Sequence, residues 1–203
     1  MKNQHNASNK KEGSKRFSSN EYVNAYIESG ILPAIHEDIG VLLDNFLKED
    51  EVVIDLGSCT GLLSLRAIKA GAKLVFGIEP NLHYISEAVV NEKIKYENFP
   101  VIEENFEKLF DIITKNNVTS IIARRVFPEI GEAGSVGTVY ELAKLFYNNG
   151  INHIYLEGRV FVKNAKNHFS CVEREIEAFE LYYEKKAAYK NAYILQKRIN
   201  KIK

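Results

Sequence analysis

Residues 51 to 61 read Glu-Val-Val-Ile-Asp-Leu-Gly-Ser-Cys-Thr-Gly. The order of these types suits capture of a small ligand. An apolar run, Val52 to Ile54, ends in the acid Asp55. A loop of Gly57, Ser58, Cys59, Thr60 and Gly61 follows, and apolar spacing resumes at Leu62. That sequence reads as a buried strand, a tight turn and a helix start. Backbone N–H groups at such a turn are expected to face outward from the sheet edge, where they can hold a ligand. A carboxylate at the strand end repels a pyrophosphate and favours a cationic ligand that carries an amino acid.

A second acid is placed in the same way. Glu79 follows the apolar run ending at Ile78 and precedes Pro80 and Asn81. At a strand tip past the glycines, its carboxylate can accept both hydroxyls of a ribose. The alternative is an acid favoured by the dipole of the following helix. Further on, Arg124 and Arg125 stand at the end of a strand, followed by Glu129. Two adjacent arginines there must be paired or face a ligand. One reading is an anionic substrate group. The other is a salt bridge to Glu129, Glu132 or Glu157. Glu129 is also a candidate general base. The segment Gly158, Arg159, Lys163, Asn164, Lys166, Asn167 and His168 follows the next strand, as a substrate loop or a solvated connection. His168 is a candidate cap for the next helix.

Other reactive residues suit their surroundings less. Cys59 lies inside the glycine turn, which argues against a nucleophile of the cytosine-methylating kind. His36, His83 and His153 lack metal-ligand spacing, and no metal is expected. Tyr22 and Tyr26 could stack on a base from a lid. The tyrosines at 182, 183, 189 and 193 read as packing.

The elements that position these residues alternate. Strands are expected at 51–56, 73–78, 100–102, 119–123 and 152–156. Helices are expected near 61–70, after Pro80-Asn81 (Leu82, Ile85, Val89), from Phe106 (Leu109, Phe110, Ile113), from Val139 to Phe146, and near 169–179. A glycine-rich loop spans Pro128 to Gly137. Strands at 179–184 and 191–199, joined by Lys185, Lys186 and Lys190, close the chain. Strand–helix alternation forces a parallel sheet with helices on both faces. The short last connection forces an antiparallel hairpin. The expected fold class is therefore α/β: a Rossmann-like open sheet, mostly parallel, with a C-terminal antiparallel hairpin. Ahead of it, 1–17 read as a disordered basic tail (Lys10, Lys11, Lys15, Arg16). Residues 18–48 read as a helical extension or lid, with a Ser18–Glu21 capping box, a stop at Gly30, and a second helix from Pro33 striped by Ile35, Ile39, Leu42, Leu43 and Phe46. The main domain is 49–203.

The chain has 203 residues and zero formal net charge. That is length enough for one domain with an extension, and no global field draws in polyanions. Two cysteines, Cys59 and Cys171, give no disulfide framework, which suits a cytoplasmic setting. The polar start lacks a secretory apolar region, and no run is long enough to span a membrane.

Over roughly residues 50 to 200 the chain resembles class I S-adenosylmethionine-dependent methyltransferases. Three features carry the resemblance: Asp55-Leu56-Gly57-Ser58-Cys59-Thr60-Gly61, the strand ending Gly77-Ile78-Glu79-Pro80-Asn81, and the closing hairpin. Cys59 stands where the family's middle glycine falls. The resemblance implies S-adenosyl-L-methionine as cofactor. It implies that Asp55, Gly57, Ser58, Cys59 and Gly61 hold the methionine end, and that Glu79 with Pro80 holds the ribose. Adenine contact would come from the edge at Glu104, Asn105 and Phe106, where Asn105 is equally a helix N-cap. The expected activity is methyl transfer to an anionic acceptor, RNA or a small acidic metabolite. The alternative is a catalytically silent cofactor-binding module. The family's Asn/Asp-Pro-Pro-aromatic motif of base-modifying members is absent after Ala123. A nicotinamide oxidoreductase would need Gly-x-Gly-x-x-Gly, and the chain has Gly57-x-x-x-Gly61 instead.

Overall fold

The computed structural model describes residues 28, 37–158, 168–169 and 171–199. The tail, the first expected helix, Pro33, Ile35, His36, Tyr22, Tyr26, and Arg159 to Asn167 lie outside the described residues.

Seven strands form one sheet in the order β3-β2-β1-β4-β5-β7-β6. They are β1 Val52–Leu56, β2 Leu74–Ile78, β3 Ile94–Glu97, β4 Ser120–Arg124, β5 His153–Glu157, β6 Tyr183–Tyr189 and β7 Ala192–Lys197. The first five pair in parallel, and β7 runs antiparallel to β5 and β6. β1 is buried along its whole length, as its apolar run Val52 to Ile54 leads one to expect of a strand covered on both faces, and Asp55 is buried with it. The chain steps outward from β1 to β2 and β3, then returns to β4 and β5 on the other side. The crevice beyond the carboxyl ends of β1 and β4 is thus the topological switch point, where open α/β sheets bind ligands.

Helices cover both faces. On one lie α1 (Glu37–Phe46) and α2 (Leu62–Lys69), whose Ile39, Leu42, Leu43, Leu62, Leu63 and Leu65 pack on Val53, Val75 and Ile122. On the other lie α4 (Phe106–Asn116), α5 (Phe127–Ala133), α6 (Val136–Asn148) and α7 (Val172–Glu177), packed on Ile54, Ile121 and Ile154. α3 (Leu82–Ser86) is a short helix between β2 and β3.

Several expected boundaries move. The third strand is Ile94–Glu97, not 100–102. It is an edge strand that reads Ile-Lys-Tyr-Glu, and only Ile94 is fully buried. Edge strands carry charge, so it lacks the apolar run that the sequence reading sought. The hairpin is also shifted. Lys185 and Lys186 lie within β6, another lysine-bearing edge, and the turn is at Lys190-Asn191. The expected loop from Pro128 contains α5, with Pro128 in its first turn. Leu82, expected on an apolar helix face, is 66% exposed. α7 is shorter than 169–179, and its N-cap is Cys171 with no capping side chain, so His168 does not cap it. α1 is packed against β5, β6, β7 and α2, as an integral covering layer.

Candidate functional site

The turn after β1 folds as the glycines require. Gly57 and Gly61 have φ of 66° and 78°, in the left-handed region that glycine adopts without strain. Their missing side chains answer protein neighbours. A Cβ on Gly57 would lie 2.9 Å from Val126 Cγ2, and one on Gly61 would collide with the Tyr96 hydroxyl. Cys59 also has positive φ, at 52°.

The backbone N–H groups of this turn bond inward, contrary to the expectation that they face a ligand. Gly57 and Ser58 donate to the Ile78 carbonyl at 2.8 and 3.2 Å, and Gly61 donates to Ser58 at 2.8 Å. Cys59 donates to Glu79 Oε2 at 2.9 Å. These bonds tie the end of β1 to the end of β2, because two parallel strand tips leave their last carbonyls and amides to be satisfied locally.

Glu79 is the centre of this arrangement. It is buried at 6% exposure, yet it lines the cavity at the switch point. Its second oxygen accepts the Asn81 N–H at 2.9 Å. Two backbone donors fix the carboxylate's direction, and a carboxylate has about four acceptor sites, so capacity remains for a diol. Asn81 caps α3 by accepting from His83 N–H at 3.0 Å.

Asp55 is oriented differently. It is 2% exposed and does not line the cavity. Its Oδ2 accepts the Ser64 hydroxyl of α2 at 2.7 Å. Burial pushes its carboxyl up to about 7; the Ser64 hydrogen bond opposes the rise and Glu79 adds to it. Burial and the same two carboxylates push the Cys59 thiol up, so it is not a thiolate nucleophile.

The cavity holds about 520 Å³, within the range of small-molecule sites. Gly57, Cys59, Glu79 and Pro80 line it, together with Pro100, Val101, Arg124, Arg125, Val126 and Glu129. Ser58, Gly61, Asn105 and Phe106 do not. Ser58 is buried against Gly77, and its Oγ has no hydrogen-bond partner among the described residues. Asn105 Nδ2 instead donates to the Pro100 carbonyl at 3.0 Å, which holds the loop that brings Pro100 and Val101 to the wall. Sequence reasoning missed those two as wall residues because it placed them inside a strand.

At the far wall both arginines meet one acid. Glu157, 2% exposed at the end of β5, lies 3.0 Å from Arg124 Nε and 3.5 Å from Arg125. Its other oxygen accepts the Ile39 N–H in the first turn of α1 at 3.4 Å. Of the three acids weighed for the arginines, Glu157 pairs with both. Burial lifts the Glu157 carboxyl, and the two guanidiniums oppose the rise. Arg125 takes φ of 55°, and its side chain stays 43% exposed at the cavity.

The residues fit S-adenosylmethionine. The oriented Glu79 carboxylate matches a ribose diol, Pro100 and Val101 offer apolar faces, and the cavity's carboxylates, Glu79 and Glu129, suit a cationic ligand. Among the described residues no cluster of His, Cys, Asp or Glu is arranged to hold a metal. No helix among them is long and apolar enough to cross a membrane.

The fold and this site define a class I S-adenosylmethionine-dependent methyltransferase. A methyltransferase described as S-adenosyl-L-methionine-dependent from Methanococcus maripaludis superposes with a TM-score of 0.51 at 15% identity, covering 90% of this chain and 91% of that one. The family model for ribosomal protein L11 methyltransferase (PrmA) matches residues 41–148, and the chain belongs to that family. The ribosomal protein L11 methyltransferase of Clostridium perfringens is 32% identical over 88 residues, 43% of this chain and 27% of that protein. A protein arginine N-methyltransferase 1 of Oryza sativa subsp. indica is 39% identical over 75 residues, 33% of this chain and 19% of that protein. The chain thus spans about a quarter or less of the length of these two relatives.

Proposed function

We propose that this chain transfers the methyl group of S-adenosylmethionine to a nitrogen nucleophile on a protein. The observation that carries the cofactor half is Glu79, held from two sides by backbone N–H groups and presented to the cavity. The protein half is supported by the relatives, one named for ribosomal protein L11 and one for protein arginine. When bound, the cofactor supplies a methyl on a positively charged sulfur that leaves as a neutral thioether. Glu79 orients the ribose, and Pro100 and Val101 exclude water from the base. Glu129, on the first turn of α5 at the cavity wall, holds the incoming amine and takes up its proton. Positioning and desolvation are the main tasks of such a site.

A second reading keeps the anionic acceptor, RNA or an acidic metabolite. The exposed Arg125 side chain at the cavity favours it. One experiment separates these readings. The protein is incubated with tritiated-methyl cofactor and cell extract, and label is sorted by protease, ribonuclease and size. Protease-sensitive label supports the protein acceptor. Ribonuclease-sensitive or small-molecule label moves the acceptor to Arg125. Binding of S-adenosylhomocysteine with no label in any pool leaves a binding module. The cofactor half has its own test. Glu79→Ala should weaken S-adenosylhomocysteine binding at least about tenfold in calorimetry, the cost of a lost charge-assisted hydrogen-bond pair. Unchanged affinity, or no binding by the parent chain, sinks the reading.

A further inference from the structure

We propose a second ligand site, for a small phosphorylated anion, at the amino-terminal pole of the parallel strands, opposite the cofactor cavity. A cavity of about 610 Å³ opens there. Glu51 precedes β1, Thr119 precedes β4, Asn152 precedes β5 and His153 begins it, so the pole is set by strand starts. β6 and β7 contribute Lys186, Gln196 and Lys197. Lys48 follows α1, and Arg198 follows β7.

The charge balance at this pole is one-sided. Lys48, Lys186, Lys197 and Arg198 face a single carboxylate, Glu51. That carboxylate is already occupied. Its Oε2 accepts the Ser120 hydroxyl at 2.6 Å, and its Oε1 lies 3.6 Å from His153 Nδ1. Burial opposes the charge on Glu51, but His153, Ser120 and Lys48 outweigh it and hold the group below its ordinary value. The anion therefore meets one ionised acid, fixed by its own hydrogen bond, beneath a surplus of cations.

A built geometry distinguishes this pole from scattered surface lysines. Lys186 sits at a β-bulge, where the register jumps from Lys185–Leu195 to Ala187–Ile194. A bulge re-aims a side chain, and this one brings Lys186 Nζ to 3.3 Å from His153 Nε2. An ammonium only donates, so Nε2 accepts, and the proton of neutral His153 is assigned to Nδ1, facing Glu51. His153 is 7% exposed. Lys197 Nζ donates to the Tyr147 carbonyl at 2.7 Å and lies over the Tyr147 ring. Arg198 Nε donates to the carbonyls of Glu180 and Tyr183 at 3.1 Å each. The two lysines are thus held, while each ammonium keeps two further donors. Thr119 Oγ1 is buried here without a hydrogen-bond partner among the described residues.

Ammonium groups act as compact point charges with rotatable donors, which bind phosphate without imposing a planar two-point geometry. Several of them converging on one cavity, with Asn152 and Gln196 as neutral partners, suit a multiply charged tetrahedral anion. Nothing in the methyl-transfer reading uses this pole.

Inorganic pyrophosphate is the probe. Titrated into the full chain in moderate salt, it should bind saturably by calorimetry and perturb the His153 ring resonances. Lys186→Gln should weaken binding at least about tenfold. Lys144→Gln removes the same charge from an exposed helix face and should leave binding unchanged. Saturating S-adenosylhomocysteine should not displace the probe, which also separates this site from the cofactor cavity. His153→Gln, checked for a native melting profile, should weaken binding as well. Equal losses in the Lys186 and Lys144 variants would reduce the effect to bulk charge and overturn the proposal. Displacement by S-adenosylhomocysteine, or binding of long RNA without binding of pyrophosphate, would overturn it too.

Discussion

Asp55 and Glu79 are two acids at adjacent strand tips with opposite situations. Glu79 accepts two backbone N–H groups and reaches the cavity, whereas Asp55 is turned inward to Ser64. The inward carboxyl has a consequence for stability. Its value rises from 3.8 to about 7 through burial, with Glu79 adding to the rise. Between those values the folded chain binds a proton that the unfolded chain has released. Stability from the protonated form is therefore fully present below 3.8 and is lost as pH climbs through about 7. Asp55→Asn keeps an acceptor for Ser64 without the charge. Its stability should match the parent in acid and exceed it above neutrality by on the order of a few kcal/mol. Urea unfolding of both chains across pH reads the gap, and a gap that stays constant refutes the assignment. The acids themselves could be read from the sequence by type and place. Their orientations could not, because Ser64 and the Asn81 N–H enter only once α2 and α3 are folded.

α1 shows why an element's existence is easier to infer than its role. The stripe of Ile39, Leu42 and Leu43 announced a helix, but the same stripe serves a mobile lid or a fixed layer. Burial decides: Ile39 and Leu43 are fully buried against the sheet. Leu43→Ala should then cost about 2–5 kcal/mol in urea unfolding, the usual loss for a buried leucine. A lid would give a different result, with little change in stability and faster release of S-adenosylhomocysteine. The central strands were readable for a related reason, since β1, β4 and β5 are covered on both faces and so carry unbroken apolar runs. β3 and β6 are edges, where Lys95, Glu97, Lys185 and Lys186 interrupt that signal. The sequence reading therefore displaced the third strand by several residues and counted strand lysines as a turn. The displacement also hid two wall residues: Pro100 and Val101 line the cavity, and Asn105 donates to the Pro100 carbonyl of their loop.

Zero net charge over the whole chain conceals a polar arrangement. Two acids, Glu79 and Glu129, and two arginines, Arg124 and Arg125, line the cavity at the carboxyl ends of the strands, whereas four cations and one acid line the cavity at their amino ends. Five-residue strands such as β1, β4 and β5 separate the two poles by about 17 Å. That exceeds the Debye length of about 8–10 Å at ordinary ionic strength. It also exceeds the range of about 7–10 Å within which perturbations usually couple. The strands between the poles are packed on both faces by the two core clusters. Ligands at the two poles should therefore stabilise the chain independently. Each ligand at a hundredfold excess over its dissociation constant contributes about 2.7 kcal/mol. S-Adenosylhomocysteine and pyrophosphate together should then contribute the sum, to within about 0.5 kcal/mol, in urea unfolding. Raising the salt should erase the pyrophosphate share first, because its site is built on exposed ammonium groups, while the hydrogen-bonded Glu79 site is screened less. A sum exceeding the separate effects by more than that margin would mean that β4 and β5 transmit binding from one pole to the other, and the sheet would have to be treated as a switch with two states.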